Sequence, residues 1–177
     1  MNSTHFENNV LSTKPTKGSI LKLIAKVYDP LWYLDPFMIK ARVLFQRIWP
    51  LRLSWDEHLP DECAKQWYKW YKQMQMLHLI SIERFLHLKF KQQFFIHVFG
   101  DASKDAYFAV AHVRTIDDHE VHVNLVISKT RPTPLNSKSI PHLQLMAATI
   151  AARLAQTLTQ ALKGVTFWTH SMMCCTG

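Results

Sequence analysis

One carboxylate in this chain has the setting that metal-dependent chemistry requires. Asp101 follows the apolar segment 94–99, and its neighbours Gly100 and Ala102 are small residues that end the apolar pattern. The segment is apolar almost throughout, as expected for a central strand buried on both faces. A carboxylate at the open end of such a strand can bind a hard cation through its oxygens. Asp101 is therefore the first candidate for a catalytic and metal-binding residue.

Other reactive side chains occur near this carboxylate or near one another, but their spacing favours simpler roles. Asp105 lies in the turn that follows, where an acid is most often solvated. His119 and His122 flank the start of a strand, yet no cysteine or third histidine stands beside them to complete a zinc site. His170 and Ser171 are adjacent, and adjacency alone does not make a catalytic dyad.

Composition predicts a folded chain with a basic first half. With 177 residues, 48% hydrophobic and 12% aromatic, it can bury a core as one domain or two small ones. The formal charge is +8: +6 up to residue 93, from 14 basic and 8 acidic residues, and +2 after it, from 7 and 5. Such an excess suits a polyanionic partner such as nucleic acid, and equally a solvated basic surface.

The cysteine pattern and the hydropathy predict an intracellular protein, cytoplasmic or nuclear, that is not secreted. Cys63, Cys174 and Cys175 are odd in number and lack Cys-x-x-Cys spacing, so neither a disulfide framework nor a zinc site is expected. No basic start is followed by an apolar stretch, and no run of about 18 apolar residues occurs. Neither a secretion signal nor a membrane span is therefore expected.

The first half predicts a flexible polar arm, residues 1–18, followed by a helical region that extends to residue 91. Ser19 is the expected cap of a helix that ends at Asp29–Pro30, because the residue before proline avoids helical backbone angles. A second helix begins at Asp35–Pro36. A third begins near Pro60–Asp61, with acids at the positive end of its dipole.

The third helix carries both an apolar stripe and a set of lysines. The stripe consists of Cys63, Trp67, Trp70, Tyr71, Met74 and Leu77. Its aromatic residues can stack on bases, but core packing is the favoured prediction. Lys65, Lys69 and Lys72 line the remaining surface and can contact phosphates or face water. Lys129 and Arg131 are further candidates for nucleic-acid contacts.

The second half, residues 92–177, predicts three strands, a long helix and a fourth strand. The predicted strands are 94–99, 106–113, 121–128 and 165–169, and the helix runs from residue 140 to Gly164. Eight residues follow the fourth strand, so we expect this domain to stop early. The fourth strand is then expected to have an unpaired edge and an uncovered face.

Several blocks of this chain, in the right order over roughly residues 14–171, resemble the polyprotein of BEL/Pao-type retrotransposons. The blocks are KGSILKLIAKVYDPLWYLDPFMIKARVLFQRIW, LSWDEHLP, FGDASKDAYFAVAHVR, NLVISKTRPTPL, SIPHLQLMAA and FWTHS. The resemblance implies that residues 19–91 correspond to the end of a reverse transcriptase, where thumb and connection meet. It implies that residues 92–177 form a truncated ribonuclease H-like domain, so the expected fold is α+β or α/β.

The resemblance also implies a site, and this chain departs from it. Ribonuclease H domains cleave the RNA strand of an RNA–DNA hybrid with two divalent metals held by carboxylates. Asp101 matches the first acid, but Gln144 stands where Glu is expected and His170 where Asp is expected. The fourth acid would lie beyond Gly177. Trp32 also replaces a residue that is usually small in the family, which implies a reshaped turn.

Three hypotheses of function follow. The first is a retrotransposon-derived fragment without catalysis that retains salt-sensitive affinity for RNA–DNA hybrid or other nucleic acid, and it needs no cofactor. The second is a working nuclease in which Asp101 acts with Asp105, Asp117 or His170 and with manganese in place of magnesium. The third is a structural module that completes its fold with another polyprotein segment.

Overall fold

Four helices and a four-stranded sheet make up the part of the chain that the computed structural model describes. That part comprises residues 14–82, 85, 86, 88, 94–117, 120–136, 139–161 and 165–169. The helices are α1 (Lys17–Lys26), α2 (Asp35–Ile48), α3 (Asp61–Met74) and α4 (Ile140–Ala161). The strands are β1 (Phe94–Ala102), β2 (Ala106–Asp117), β3 (Glu120–Pro132) and β4 (Val165–Thr169).

The chain divides into two compact units. The first comprises residues 1–28 and 40–81, and the second comprises residues 29–39 and 82–177. The division falls inside α2, whose first turn belongs to the second unit. The boundary predicted near residue 91 and residues 1–13 of the predicted arm lie outside the described residues, so the domain limits stay predictions.

The first unit buries the apolar stripes of its helices against one another. Its buried apolar residues are Ile20, Ala41, Leu44, Ile48, Leu59, Ala64, Trp67, Trp70 and Tyr71. Trp67 and Trp70 stack with their ring centroids 4.9 Å apart. The aromatic stripe of α3 therefore packs in the core and is not available to stack on bases.

Helix α1 begins three residues earlier than its apolar pattern predicts. The cap is Thr16, whose Oγ1 accepts the Ser19 amide at 3.2 Å, and the Ser19 Oγ accepts the Thr16 amide at 2.9 Å. This reciprocal pair satisfies two amides that a helix start leaves without partners. Ser19, predicted as the cap, is thus the third residue of the helix.

The second unit has the predicted order of three antiparallel strands, a helix and a fourth strand. The sheet order is β3-β2-β1-β4, with β4 parallel to β1. Helix α4 covers one face. The buried cluster beneath it contains Ile96, Val98, Tyr107, Ala109, Ala111, Val113, Leu143, Ala147, Ile150, Ala151, Leu154 and Leu158. The predicted α+β arrangement is confirmed.

The outer edge of β3 is covered by residues 29–35, which we call the edge clasp. Ser128 donates its amide to the Leu31 carbonyl at 3.2 Å and its hydroxyl to the Trp32 carbonyl. The Thr130 amide donates to the Asp35 carboxylate at 2.7 Å. An edge strand otherwise presents unpaired amides, so the clasp satisfies the part of this edge around Ser128 and Thr130.

The clasp itself contains a strained turn at the position where the resemblance implied a reshaped one. Trp32 has φ 54°, in the left-handed region that favours glycine. The Asp29 carboxylate holds the turn by accepting the amides of Tyr33 at 2.9 Å and Leu34 at 2.7 Å. The Lys129 Nζ lies 4.3 Å from the Trp32 ring centroid, within cation–π range.

Candidate functional site

Asp101 lies near the end of β1, as the sequence predicts, and is half-buried. It pairs with Phe108 of β2. One of its carboxylate oxygens, Oδ1, accepts the amide of Ala102 at 2.7 Å. β1 itself continues through Ala102, so the strand is longer than the predicted segment 94–99.

Helix α4 lies in direct contact with β1 beside this carboxylate. A Cβ placed on Gly100 would be 3.2 Å from both the Ala147 carbonyl oxygen and the Ala151 Cβ. Such distances are tighter than ordinary van der Waals contact, so a side chain at this position would require the helix to shift by a few tenths of an ångström. The small residues on both elements therefore fix the height of the helix above the strand end.

The direction of α4 brings Gln144 to the same end of the sheet as Asp101. Strands β3 and β4 both run parallel to β1, and the helix that connects them runs in the opposite direction. Gln144 precedes Ala147 by about one turn and so lies further toward the end of β1. It is half-buried.

Asp101 and Gln144 lie at this end of the sheet but on different faces of it. Side chains alternate along a strand, so Asp101 shares a face with Phe99, whereas the face of Gly100 packs on α4. β4 also ends here, because Thr169 pairs with Gly100. His170, which follows β4, lies outside the described residues.

Of the other residues singled out from the sequence, Asp117 and His122 lie far from Asp101 in the sheet. Asp117 lies nine residues from Phe108 along β2, which is roughly 30 Å in an extended strand. His122 pairs with Thr115, near that same distant end. Asp105 lies exposed in the β1–β2 turn, and His119 lies outside the described residues.

The donor set at the end of β1 does not fit a two-magnesium centre. Two divalent cations carry four positive charges, and Asp101 supplies one negative charge while Gln144 supplies none. Among the residues that the structure describes, no group of three or more His, Cys, Asp or Glu could hold a metal ion. Ribonuclease H-like domains usually use magnesium or manganese, and Gln144 and His170 stand where the family resemblance implies two of the metal-binding acids.

The sheet face opposite α4 carries an aromatic surface that the sequence pattern does not reveal. Phe99 is 42% exposed and Phe108 is 37% exposed, so β1 is not buried on both faces as predicted. His97 pairs directly with His112, and the Phe99 ring lies 6.5 Å and 6.1 Å from them. An apolar run such as 94–99 has the same appearance whether its second face is covered or open, so periodicity could not separate the two cases.

His112 gives the protein a predicted sensitivity to acid. Burial and, second, the charge of His97 lower the pKa of His112 below its ordinary 6.5. As the pH falls, His112 therefore binds a proton in the unfolded chain before it does so in the folded protein. The free energy of unfolding consequently decreases below about pH 6.5. We expect the melting temperature to fall from pH 7.5 to pH 5 by about 2 °C more in the wild type than in His112→Phe.

The control for this prediction is His142→Phe, which removes an exposed histidine of α4. It should retain the wild-type pH dependence. If the melting temperatures of His112→Phe, His142→Phe and the wild type all change equally with pH, His112 does not cause the acid sensitivity.

The basic residues predicted to contact nucleic acid lie in different settings. Lys65 is near the Asp61 carboxylate, whose pKa is lowered mainly by a hydrogen bond and charge from Lys14 and to a smaller extent by Lys65. Lys69 lines a groove with Lys40, and Lys72 lines another. On β3, Lys129 lies over Trp32 and Arg131 is exposed.

Comparisons with known proteins identify the family. The profile of the Pao retrotransposon-like RNaseH-like domain matches residues 16–171, and so extends over both the helical region and the sheet. A comparison with curated proteins gave no significant match. Within the described residues, no helix is long and apolar enough to cross a bilayer. With the sheet order, the helix over Gly100 and the position of Asp101, this match shows that the chain belongs to the family of Pao retrotransposon-like RNaseH-like domains.

Proposed function

We propose that this ribonuclease H-like domain binds RNA–DNA hybrid without cleaving it. The observation that carries the proposal is the arrangement at the end of β1, where Gln144 of α4 and a single carboxylate, Asp101, lie at the same end of the sheet. Hydrolysis by this fold requires metal ions that activate a water and stabilise the leaving oxygen. One carboxylate with one neutral amide cannot neutralise them.

Binding of nucleic acid does not require the metal ligands that cleavage requires. Phosphate contacts depend on exposed lysine and arginine side chains, and each neutralised phosphate adds affinity that salt removes. The formal charge of +8 and the exposed lysines of α3 support such contacts. The hybrid is the partner that the family's fold favours, and other nucleic acids are bound through the same contacts.

The exposed face of the sheet supports a second proposal. Phe99 and Phe108 present apolar surface there that an isolated domain would ordinarily bury. Another segment of the polyprotein is a suitable partner for this face. An intracellular setting, cytoplasmic or nuclear, stays a prediction that rests on the cysteine pattern.

The test of the main proposal is a combined binding and cleavage assay on a labelled RNA–DNA hybrid with the folded chain. With magnesium and then manganese, we expect retention of the hybrid and no cuts. Between 50 and 200 mM salt the affinity should fall roughly 10- to 50-fold if two or three phosphates are neutralised.

Asp101→Asn is the control for that assay, and it should bind as the wild type does. Metal-dependent cuts that disappear in Asp101→Asn would instead establish a nuclease with unconventional ligands. An affinity that does not change with salt would contradict binding through phosphates.

A further inference from the structure

A groove in the first unit, between α2 and α3, brings two lysines of different helices together. We call it the lysine groove. Its lining consists of Lys40, Leu44, Gln66, Lys69, Trp70 and Gln73. Its volume is about 240 Å³. The lining combines two cations, two primary amides and an apolar floor.

The floor of the lysine groove is preformed by the core of the unit. Leu44 is buried and Trp70 is only 4% exposed. The Trp70 ring also stacks on Trp67, which is 1% exposed. Because core residues pack against this floor, it keeps its shape without a ligand. Binding would therefore lose little conformational entropy.

The rim of the groove follows from helical spacing. Gln66, Lys69 and Gln73 are separated by three and four residues, so they project along one side of α3. Lys40 is contributed by α2. All four rim residues are exposed, so their polar ends are available to a ligand.

The two rim lysines differ from other lysines of this unit in their electrostatic setting. Within the described part of the chain, neither Lys40 nor Lys69 has an ion-pair partner. Lys14, by contrast, is 3.0 Å from the Asp61 carboxylate, and Lys65 also acts on that acid. Two cations that line one groove without a counter-charge favour an anion between them.

We propose that the lysine groove binds a phosphodiester group of a nucleic-acid strand. Lys40 and Lys69 would contact the phosphate oxygens, and the amides of Gln66 and Gln73 would donate to the phosphate or the sugar. Trp70 is buried and cannot stack on a base. We therefore expect the groove to bind the backbone of the strand without discriminating between base sequences. This inference rests on the proposed function, and it names the surface through which binding occurs.

The size of the groove agrees with this ligand. A volume of about 240 Å³ is below the range of roughly 300–1,000 Å³ that is usual for drug-sized ligands. One phosphate with its sugar is a suitable occupant, whereas a base pair is too large. The remainder of the strand would extend beyond the groove along the exposed surface of the helices.

The experiment compares two double variants of the full chain by fluorescence anisotropy with a labelled RNA–DNA hybrid. Lys40→Gln with Lys69→Gln removes both groove charges. Lys104→Gln with Arg153→Gln removes two exposed charges elsewhere and is the matched control. We expect the groove variant to lose about tenfold or more in affinity at 100 mM salt. Its salt slope should be smaller by roughly 1.4–1.8.

The control should lose less than about threefold, since dispersed charges contribute only to the general field. A third variant, Gln73→Phe, obstructs the groove without changing the charge, and we expect it to weaken binding about as much as the groove variant. Equal losses in the two charge variants, or wild-type affinity in Gln73→Phe, would overturn the groove assignment while leaving hybrid binding intact. If the wild type does not bind the hybrid at all, the proposed function fails first.

Discussion

Asp35→Ala should lower the free energy of unfolding of this protein by about 3 kcal/mol. Asp35 is 1% exposed, and its carboxylate accepts the Thr130 amide at 2.7 Å across 95 residues of chain. Alanine would leave that amide of the edge strand without its acceptor. A buried hydrogen bond to a charged group stabilises strongly, and removing one partner costs the desolvation of the other.

Asp35→Ala should loosen the edge of β3 under conditions in which the rest of the protein remains folded. Hydrogen exchange at the Thr130 amide should accelerate in Asp35→Ala, because this amide loses its acceptor. Exchange at Ser128, whose amide donates to the Leu31 carbonyl, should follow as the edge clasp loosens. Urea unfolding followed by circular dichroism measures the global change.

The matched control is Asp56→Ala, which removes an exposed acid of the first unit. Its effect on unfolding should stay within about 0.5 kcal/mol. If Asp35→Ala and Asp56→Ala are equally stable, the clasp does not hold β3, and its hydrogen bonds contribute nothing measurable to the sheet.

Trp67→Ala should have an effect at least as large in the first unit, about 4 kcal/mol. Trp67 is 1% exposed and stacks on Trp70 and Tyr71, with ring centroids 4.9 Å and 6.5 Å away. Truncation to alanine removes both ring contacts and leaves a cavity beneath the lysine groove. Affinity for the hybrid should therefore fall as well, because Trp70, which forms part of the floor of the lysine groove, loses the ring that packs against it.

Trp67→Phe separates the ring contacts from the indole N–H. The Nε1 of Trp67 is buried and has no hydrogen-bond partner among the described residues. Phenylalanine retains an aromatic ring and removes this unsatisfied donor, so we expect a loss of only about 1 kcal/mol. If Trp67→Phe is as damaging as Trp67→Ala in urea unfolding, the core requires the full size of the indole ring and any aromatic ring is not sufficient.

The packing at the end of β1 does not depend on the carboxylates that the family resemblance implies at this site. Gly100 and the alanines of α4 keep the helix on the sheet, and neither feature depends on a carboxylate. Gln144 differs from glutamate by one amide group and needs no rearrangement of the helix. The fold and the charge of the site are therefore separable properties of this chain.

Features that depend on neighbouring residues in the chain can be predicted from the sequence. Asp35–Pro36 and Pro60–Asp61 mark the starts of α2 and α3. Apolar runs separated by turn residues, and one helical apolar stripe after residue 140, predict the order of the strands and α4. The blocks around Asp101 and Gln144 identify the family. Such signals are local, because capping, proline restriction and periodicity act over a few residues.

Contacts between residues far apart in the chain are visible only in the folded structure. The edge clasp joins Asp35 to Thr130, and the lysine groove joins Lys40 to Lys69, pairs that no local pattern connects. It also showed that Phe99 is exposed where an apolar run predicted burial on both faces. Periodicity states which side chains share a face, but whether that face is covered depends on contacts between segments far apart in sequence.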